Sequence, residues 1–235
     1  MATSMAMGAT GIKPAILIAA LAAMMALSGC GNAPDRAKAN KALAQGVLQS
    51  VGLGAKPAPA PSEAAQVAGA MAEKSGDLRM VRIAVPNVAA VVYPVQENQG
   101  VRLWASADQR GFYFRSGVLV ATRGLGGDLM QADVGPSLAL VRARKSGSAQ
   151  RVHRYLTGDN QTDLRRLSCT IAPLGREAVQ YAAMSAQTVK MRETCEGGQT
   201  RFENLYWVTG SGKIVRSLQW QGDLGGMIEF IDIRN

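Results

Sequence analysis

The sequence predicts an all-β domain, a large antiparallel sheet curved into a sandwich or a partly open barrel, with a short N-terminal helical arm. Three observations predict it. From Leu78 onward the chain breaks into short runs rich in β-branched and aromatic residues. Turn signals separate these runs: Pro86-Asn87, Glu97 to Gly100, Asp108 to Gly111 and Ser116-Gly117 in the first half, then Gly158 to Asn160, Gly197-Gly198 and Gly210 to Gly212 in the second. The runs do not alternate with helical stretches, which excludes a doubly wound sheet with helices between parallel strands.

Each element follows in order. Asp35 is placed to cap a helix over Ala37 to Val51, where Leu43, Val47, Leu48 and Val51 fall at helical spacing. Gly52 and Gly54 end it. The segment KPAPAPS, Lys56 to Ser62, cannot form regular helix and reads as an extended linker or a turn. Ser62 is placed to cap a second short helix, EAAQVAGAMA, and Gly76-Asp77 marks its exit. Strands are then expected at LRMVRIAV, VAAVVYPVQ, VRLWAS, GFYFR and VLVAT, and again at QRVHRYLT, LRRLSCTI, QTVKMRETCE, TRFENLYWV, KIVRSLQWQ and GMIEFIDI. Met130 to Leu140 reads as a loop because Gly135-Pro136 lies inside it, and Arg176 to Ala183 as a short helix or an irregular turn.

The first thirty residues carry a separate signal. Pro14 to Leu27 is a wholly apolar run of 14 residues, preceded by the single charge of Lys13. A membrane-spanning helix needs about 20 such residues, so this length fits a secretory leader. The next residues, Leu27-Ser28-Gly29-Cys30, match the bacterial lipobox, which implies cleavage before Cys30 and acylation of its sulfur and amine. The expected organisation is a leader over 1–29, a helical and Pro/Ala-rich tether over 30–76 and the β domain over 77–235. The expected prosthetic chemistry is the covalent N-acyl and diacylglycerol lipid on Cys30, with no other cofactor. Gly31 after the lipidated cysteine, where an aspartate would retain a lipoprotein at the inner membrane, points to the outer membrane and a periplasm-facing domain.

Export places the two remaining cysteines, Cys169 and Cys195, in an oxidising compartment, where such a pair closes. Two cysteines 26 apart with one histidine in the chain cannot complete a tetrahedral metal site, so no metal is expected. The formal charge of +9 falls by one with the leader. In the cell envelope its partners are anionic lipid, lipopolysaccharide phosphate or acidic polysaccharide, and nucleic acid is excluded by the compartment.

One loop is chemically distinctive. The run GVLVATRGLGGDLM places Arg123, Gly124, Gly126, Gly127 and Asp128 at the end of a strand. A phosphate loop needs Gly-Lys-Ser/Thr, and a dinucleotide loop needs a third glycine where Leu129 stands, so neither is present. The remaining readings are a tight turn or a functional surface, with Arg123 and Asp128 pairing across the turn or facing a partner. Polysaccharide hydrolysis would need two carboxylates flanking the bond, and the spacing of Asp108, Asp128, Asp133, Glu203, Asp223 and Glu229 selects no pair. His153, between arginines in RVHRY, reads as an uncharged residue of a surface strand. Trp104, Trp207 and Trp220 read as core anchors, because aromatic residues are only 5% of the chain and the core needs most of them; the alternative reading is that some of them line a sugar-binding face, where flat rings stack on pyranose rings.

These residues also carry a resemblance. The stretch WASADQRGFYFRSGVLVATRGLGGDLMQAD, Trp104 to Asp133, followed by LSC at Leu167 to Cys169, FENLYWV at Phe202 to Val208 and SLQW at Ser217 to Trp220, resembles the YjbF/GfcB family of lipoproteins associated with capsule and exopolysaccharide production. The resemblance runs from about Leu78 to the C-terminus. It implies an acylated, non-enzymatic accessory of capsule or exopolysaccharide secretion, anchored to the membrane and meeting polysaccharide export proteins or acidic polysaccharide. It carries no catalytic residues to this chain. A carbohydrate- or lipid-binding module is the second reading, and a lipid carrier would need a large unfilled apolar interior. A polysaccharide hydrolase is the third.

Overall fold

The computed structural model describes residues 61–159 and 161–234. The leader, Cys30 and the helix expected over 37–51 lie outside the described residues. Ala60–Asn235 forms one compact unit.

The helix α1 spans Glu63–Glu73, and Ser62 caps it by accepting from the backbone N–H of Ala65 at 3.3 Å. Val67, Ala70 and Met71 fall three and four residues apart and pack on Leu78, Met80 and Ile231. Glu63 fixes the helix to the sheet. It accepts from Arg82 Nε and Nη2 at 2.9 and 2.6 Å and from the Tyr181 hydroxyl at 2.6 Å. The hydrogen bonds from Arg82 and Tyr181 outweigh partial burial and hold the Glu63 carboxyl down at about 2.

Twelve strands follow: β1 (Arg79–Ile83), β2 (Val88–Asn98), β3 (Val101–Ser106), β4 (Gly111–Arg115), β5 (Val118–Arg123), β6 (Leu129–Asp133), β7 (Gly147–Leu156), β8 (Thr162–Tyr181), β9 (Met184–Gly197), β10 (Thr200–Thr209), β11 (Ile214–Gly222) and β12 (Gly226–Asp232). All belong to one antiparallel sheet in the order β5-β4-β3-β2-β1-β12-β11-β10-β9-β8-β7-β6. The first and last strands pair in its middle, Val81 opposite Phe230. The sheet is a meander nearly closed into a barrel, and β5 and β6 are its two edges. Register shifts at Pro94/Gln96 in β2, Pro173/Gly175 in β8 and Trp220/Gly222 in β11 add the local twist that a closing sheet needs.

The expected strands are all present, and two expectations need correction. Met130 to Leu140 is not a loop. It holds the end of β6 and a helix, α2 (Gly135–Ala143). Proline lacks an N–H that the first turn would leave unbonded anyway, so Gly135-Pro136 starts this helix instead of breaking it. Arg176 to Tyr181 is strand, because β8 continues past its bulge to pair with β9 as far as Tyr181 opposite Met184.

The interior is filled. Val81, Ile83, Phe112, Phe114, Ile228 and Phe230 pack in the half built by β1 to β5, with Phe230 edge-on to both other rings. In the other half α2 buries Leu138 and Val141 against Leu167, Ile171, Met191 and Tyr206. Cys169 and Cys195 stand directly opposite each other on β8 and β9 and are joined by a disulfide, with both residues buried.

Candidate functional site

The edge strands β5 and β6 are consecutive in the chain, and the glycine-rich run joins them across the seam of the barrel. Gly124, Gly126 and Gly127 have φ of +82°, +72° and +78°, a region that L side chains rarely adopt. The Asp128 carboxylate accepts from the N–H of Gly124 at 2.8 Å, the N–H of Leu125 at 3.2 Å and the Thr122 hydroxyl at 2.9 Å. Thr122 Oγ1 accepts in turn from the N–H of Leu129 at 3.0 Å. Arg123 folds back onto the carbonyls of Thr122, Leu129 and Met130. Arg123 and Asp128 therefore bind backbone, and each fixes one side of the turn.

The far side of the seam comes from β11. Gln219 spans the barrel: its Oε1 accepts from the N–H of Leu119 at 2.8 Å, and its Nε2 donates to the carbonyl of Gly117 at 2.9 Å and to Ser217 Oγ at 2.8 Å. Gln221 Nε2 donates to the carbonyl of Gly127 at 2.7 Å. Two buried side-chain amides thus satisfy backbone groups that lack a neighbouring strand. Gln221, one residue beyond the SLQW motif, and the glycine run are far apart in sequence and are two halves of one clasp.

A second polar cluster lies inside the barrel. The Glu193 carboxylate, fully buried on β9, accepts from Arg151 Nη1 at 2.7 Å, Asn204 Nδ2 at 2.8 Å, the Tyr206 hydroxyl at 2.8 Å and the Ser137 hydroxyl of α2. Burial alone would raise this carboxyl. The Arg151 charge and the hydrogen bonds outweigh burial and hold it below the usual carboxylate range. A buried carboxylate with four donors is satisfied as it stands, and the cluster locks α2 to β7, β9 and β10. Sequence reading missed Arg151 and Glu193, because strand charges ordinarily face solvent.

His153 is a further correction. It is not on a surface: it is fully buried on β7, near-parallel to the Phe202 ring at 5.6 Å and the Trp220 ring at 5.9 Å. The expected charge state follows all the same. Burial, and then the Arg151 and Arg165 charges, push its pKa well below the usual imidazole range.

The structure engages each candidate carboxylate locally. Asp108 pairs with Arg110 at 3.3 Å, Glu203 with Arg192 at 3.8 Å and Asp223 with Arg165 at 2.8 Å. Glu229 pairs with Arg82 at 2.5 Å and Arg216 at 2.6 Å, and Asp133 accepts from the N–H of Gly135 at 3.4 Å. No two of them are brought together on a shared cavity among the described residues.

One cleft does gather charge. It has a volume of about 470 Å³ and opens where the β2–β3, β4–β5 and β10–β11 turns meet α2. Arg79, Arg102, Arg142 and Lys213 line it against one carboxylate, Glu97, with Trp104 and Phe114. Arg79 is only 7% exposed, and its guanidinium lies 4.6 Å from the Trp104 ring centroid and 4.9 Å from that of Phe114. Asp232 holds it from below at 2.7 Å and also meets Lys213 Nζ at 3.3 Å.

Comparison with known proteins now adds to this geometry. Residues 56–231 match the family described as group 4 capsule polysaccharide lipoprotein gfcB, YjbF. Among solved structures, the chain is similar to the lipoprotein YmcC of Escherichia coli, with a TM-score of 0.62 and 18% identity over 76% of this chain and 98% of that one. It is more distantly similar to an exported protein of Bacteroides fragilis with a YmcC-like fold, at a TM-score of 0.30 and 12% identity over 67% of this chain and 93% of that one. Curated protein sequences contain no match. The family match spans the seam clasp, the disulfide, the buried ion pair and the cleft, and the chain belongs to the group 4 capsule polysaccharide lipoprotein family, GfcB or YjbF, whose members are proteins of the cell envelope.

Proposed function

We propose that this protein is a non-enzymatic accessory of capsule or exopolysaccharide production, acylated on Cys30, held at the outer membrane and facing the periplasm. Family membership supports the process. The observation that carries the role is the filled barrel. Aromatic side chains and the Glu193 cluster fill the interior, which gives the lipid-carrier reading no support. Each candidate carboxylate already has a hydrogen-bond or ion-pair partner, and none of the described clefts is lined by two of them, which favours a scaffold over a hydrolase.

The test uses purified protein and the capsule polymer of the same strain. After prolonged incubation, size-exclusion chromatography should give an unchanged polymer length distribution, while loss of the gene lowers surface polymer in cells. Shortened polymer would overturn the non-enzymatic reading. Unaltered surface polymer in the deletion strain would overturn the accessory reading.

A further inference from the structure

We propose that the cleft at the α2 end of the barrel, built from Arg79, Arg102, Arg142 and Lys213, binds carboxylate-bearing sugar residues of an acidic polysaccharide. The inference deepens the capsule reading and rests on it for the polymer met in the cell, but the binding itself is testable without it.

Three observations carry the proposal. First, the cations are held in place before any ligand arrives. Arg79 is clamped between Asp232 and the faces of Trp104 and Phe114, Arg102 is braced by Asp77 at 3.1 Å and Glu97 at 2.9 Å, and Arg142 Nε is tied to the carbonyl of Gly212 at 3.1 Å. Holding Arg142 by its Nε leaves both terminal nitrogens, the pair that forms a fork with a carboxylate, unbonded among the described residues.

Second, positive charge exceeds negative charge at this end. Arg115 and Arg144 flank the cleft, the first bonded only to the carbonyl of Gln99 and the second only to carbonyls of Thr209 and Arg142. Neither has a carboxylate partner among the described residues, so the local field attracts anions along a chain and not at one point.

Third, the ligand is recognised by charge and not by ring stacking, and it is a polysaccharide and not a lipid. Trp104 is 5% exposed and its face is covered by Arg79, so it offers no platform for a neutral pyranose. An anionic lipid would seek apolar surface beside the charge. Of the exposed large apolar residues, Val85, Leu156, Leu164 and Leu224 lie in or beside the turns at the opposite end of the barrel, and Val95 and Leu174 lie on β2 and β8, outside the lining of the cleft. The cleft is open on one side and large enough for one or two sugar residues of a passing chain.

The experiment uses the chain from residue 30 onward carrying Cys30→Ala, which removes the acyl anchor, and measures binding by isothermal titration at low and physiological salt. The probes are polygalacturonate oligosaccharide, neutral dextran, and phosphatidylglycerol vesicles. The expected result is salt-sensitive binding of polygalacturonate, none of dextran, and at least tenfold weaker binding by Arg142→Gln/Lys213→Gln. Both substitutions are at the rim; Lys213 also meets Asp232, but the Arg79–Asp232 contact at 2.7 Å is kept in the double variant. Arg201→Gln, on an exposed strand end far from the cleft, is the charge control and should bind like the parent. Circular dichroism and urea midpoints confirm that the double variant folds. Equal loss in the control and the double variant would mean attraction by net charge alone and would overturn the proposal. Parent-like binding by the double variant, or vesicle binding without polygalacturonate binding, would overturn it as well. Should the cleft bind uronate while the deletion strain makes normal surface polymer, the capsule role fails and the binding site stands.

Discussion

Acidification from about pH 7.5 to 5.0 should destabilise the barrel, by up to ~2 kcal/mol, and His153 should account for most of it. His153 is the only histidine in the chain, so one imidazole sets this window. Its ring is buried beside the stacked Phe202 and Trp220 rings, with Arg151 and Arg165 nearby, and its pKa in the folded protein lies well below the ordinary value. The unfolded chain takes up a proton below about pH 6.5 and the folded chain does not, so the unfolded state binds more protons and stability falls as pH falls. The slope approaches about 1.4 kcal/mol per pH unit below that point, which sets an upper bound of ~2 kcal/mol at pH 5.0. Glu63 and Glu193 also have lowered carboxyl pKa values, and their stabilisation is lost only as pH falls below the unfolded value of about 4.3. The assay is urea unfolding at the two pH values for wild type and His153→Phe, which keeps a flat ring in the stack and leaves the Tyr155 hydroxyl bonded to the carbonyl of Gln221 at 3.0 Å. Wild type should lose stability and the variant should not. Equal midpoints for wild type at both pH values, or an unchanged loss in His153→Phe, would refute the reasoning.

Other outcomes follow from the same contacts. Replacing Cys169 and Cys195 by serine should cost about 3.5 kcal/mol in the chain-entropy account for the 26-residue separation, measured as a urea midpoint shift that reducing agent reproduces in the wild type. Glu193→Ala strands Arg151 in the interior and should cost about 3–5 kcal/mol by urea unfolding, whereas a double Arg151→Met/Glu193→Leu variant should recover most of that loss. Asp128→Ala removes three acceptor bonds from the seam turn and should cost about 1–3 kcal/mol, with faster amide exchange at Gly124 and Leu125. Gly127→Ala should cost about 1–2 kcal/mol from its positive φ; the new Cβ would also lie 2.7 Å from Leu224 Cδ1, but that exposed side chain can move, so adding Leu224→Ala should restore little.

The strands were legible because their turns are marked by glycine, proline and asparagine and their cores by β-branched and aromatic runs. The disulfide was legible because export and a count of cysteines leave one pair. What sequence could not give is whatever depends on which strands meet. In AQRVHRY the apolar alternation would bury Val152, yet Ala149, Arg151, His153 and Tyr155 face inward. That face is affordable only because Glu193, 42 residues away, neutralises Arg151. The glycine run reads as a tight turn from its residues alone, but its place at the seam follows from β5 and β6 being the edges of the sheet. The cleft was invisible for the same reason: Arg79, Arg142 and Lys213 lie on three distant segments that only barrel closure assembles.

The most direct test of the account is the amount of surface polymer in a strain lacking this gene, complemented with wild type or with Cys30→Ala. An anchored accessory predicts that surface polymer falls in the deletion, returns with wild type and stays low with Cys30→Ala at equal protein levels. Unchanged surface polymer in the deletion would contradict the capsule role, and full rescue by Cys30→Ala would contradict the anchor.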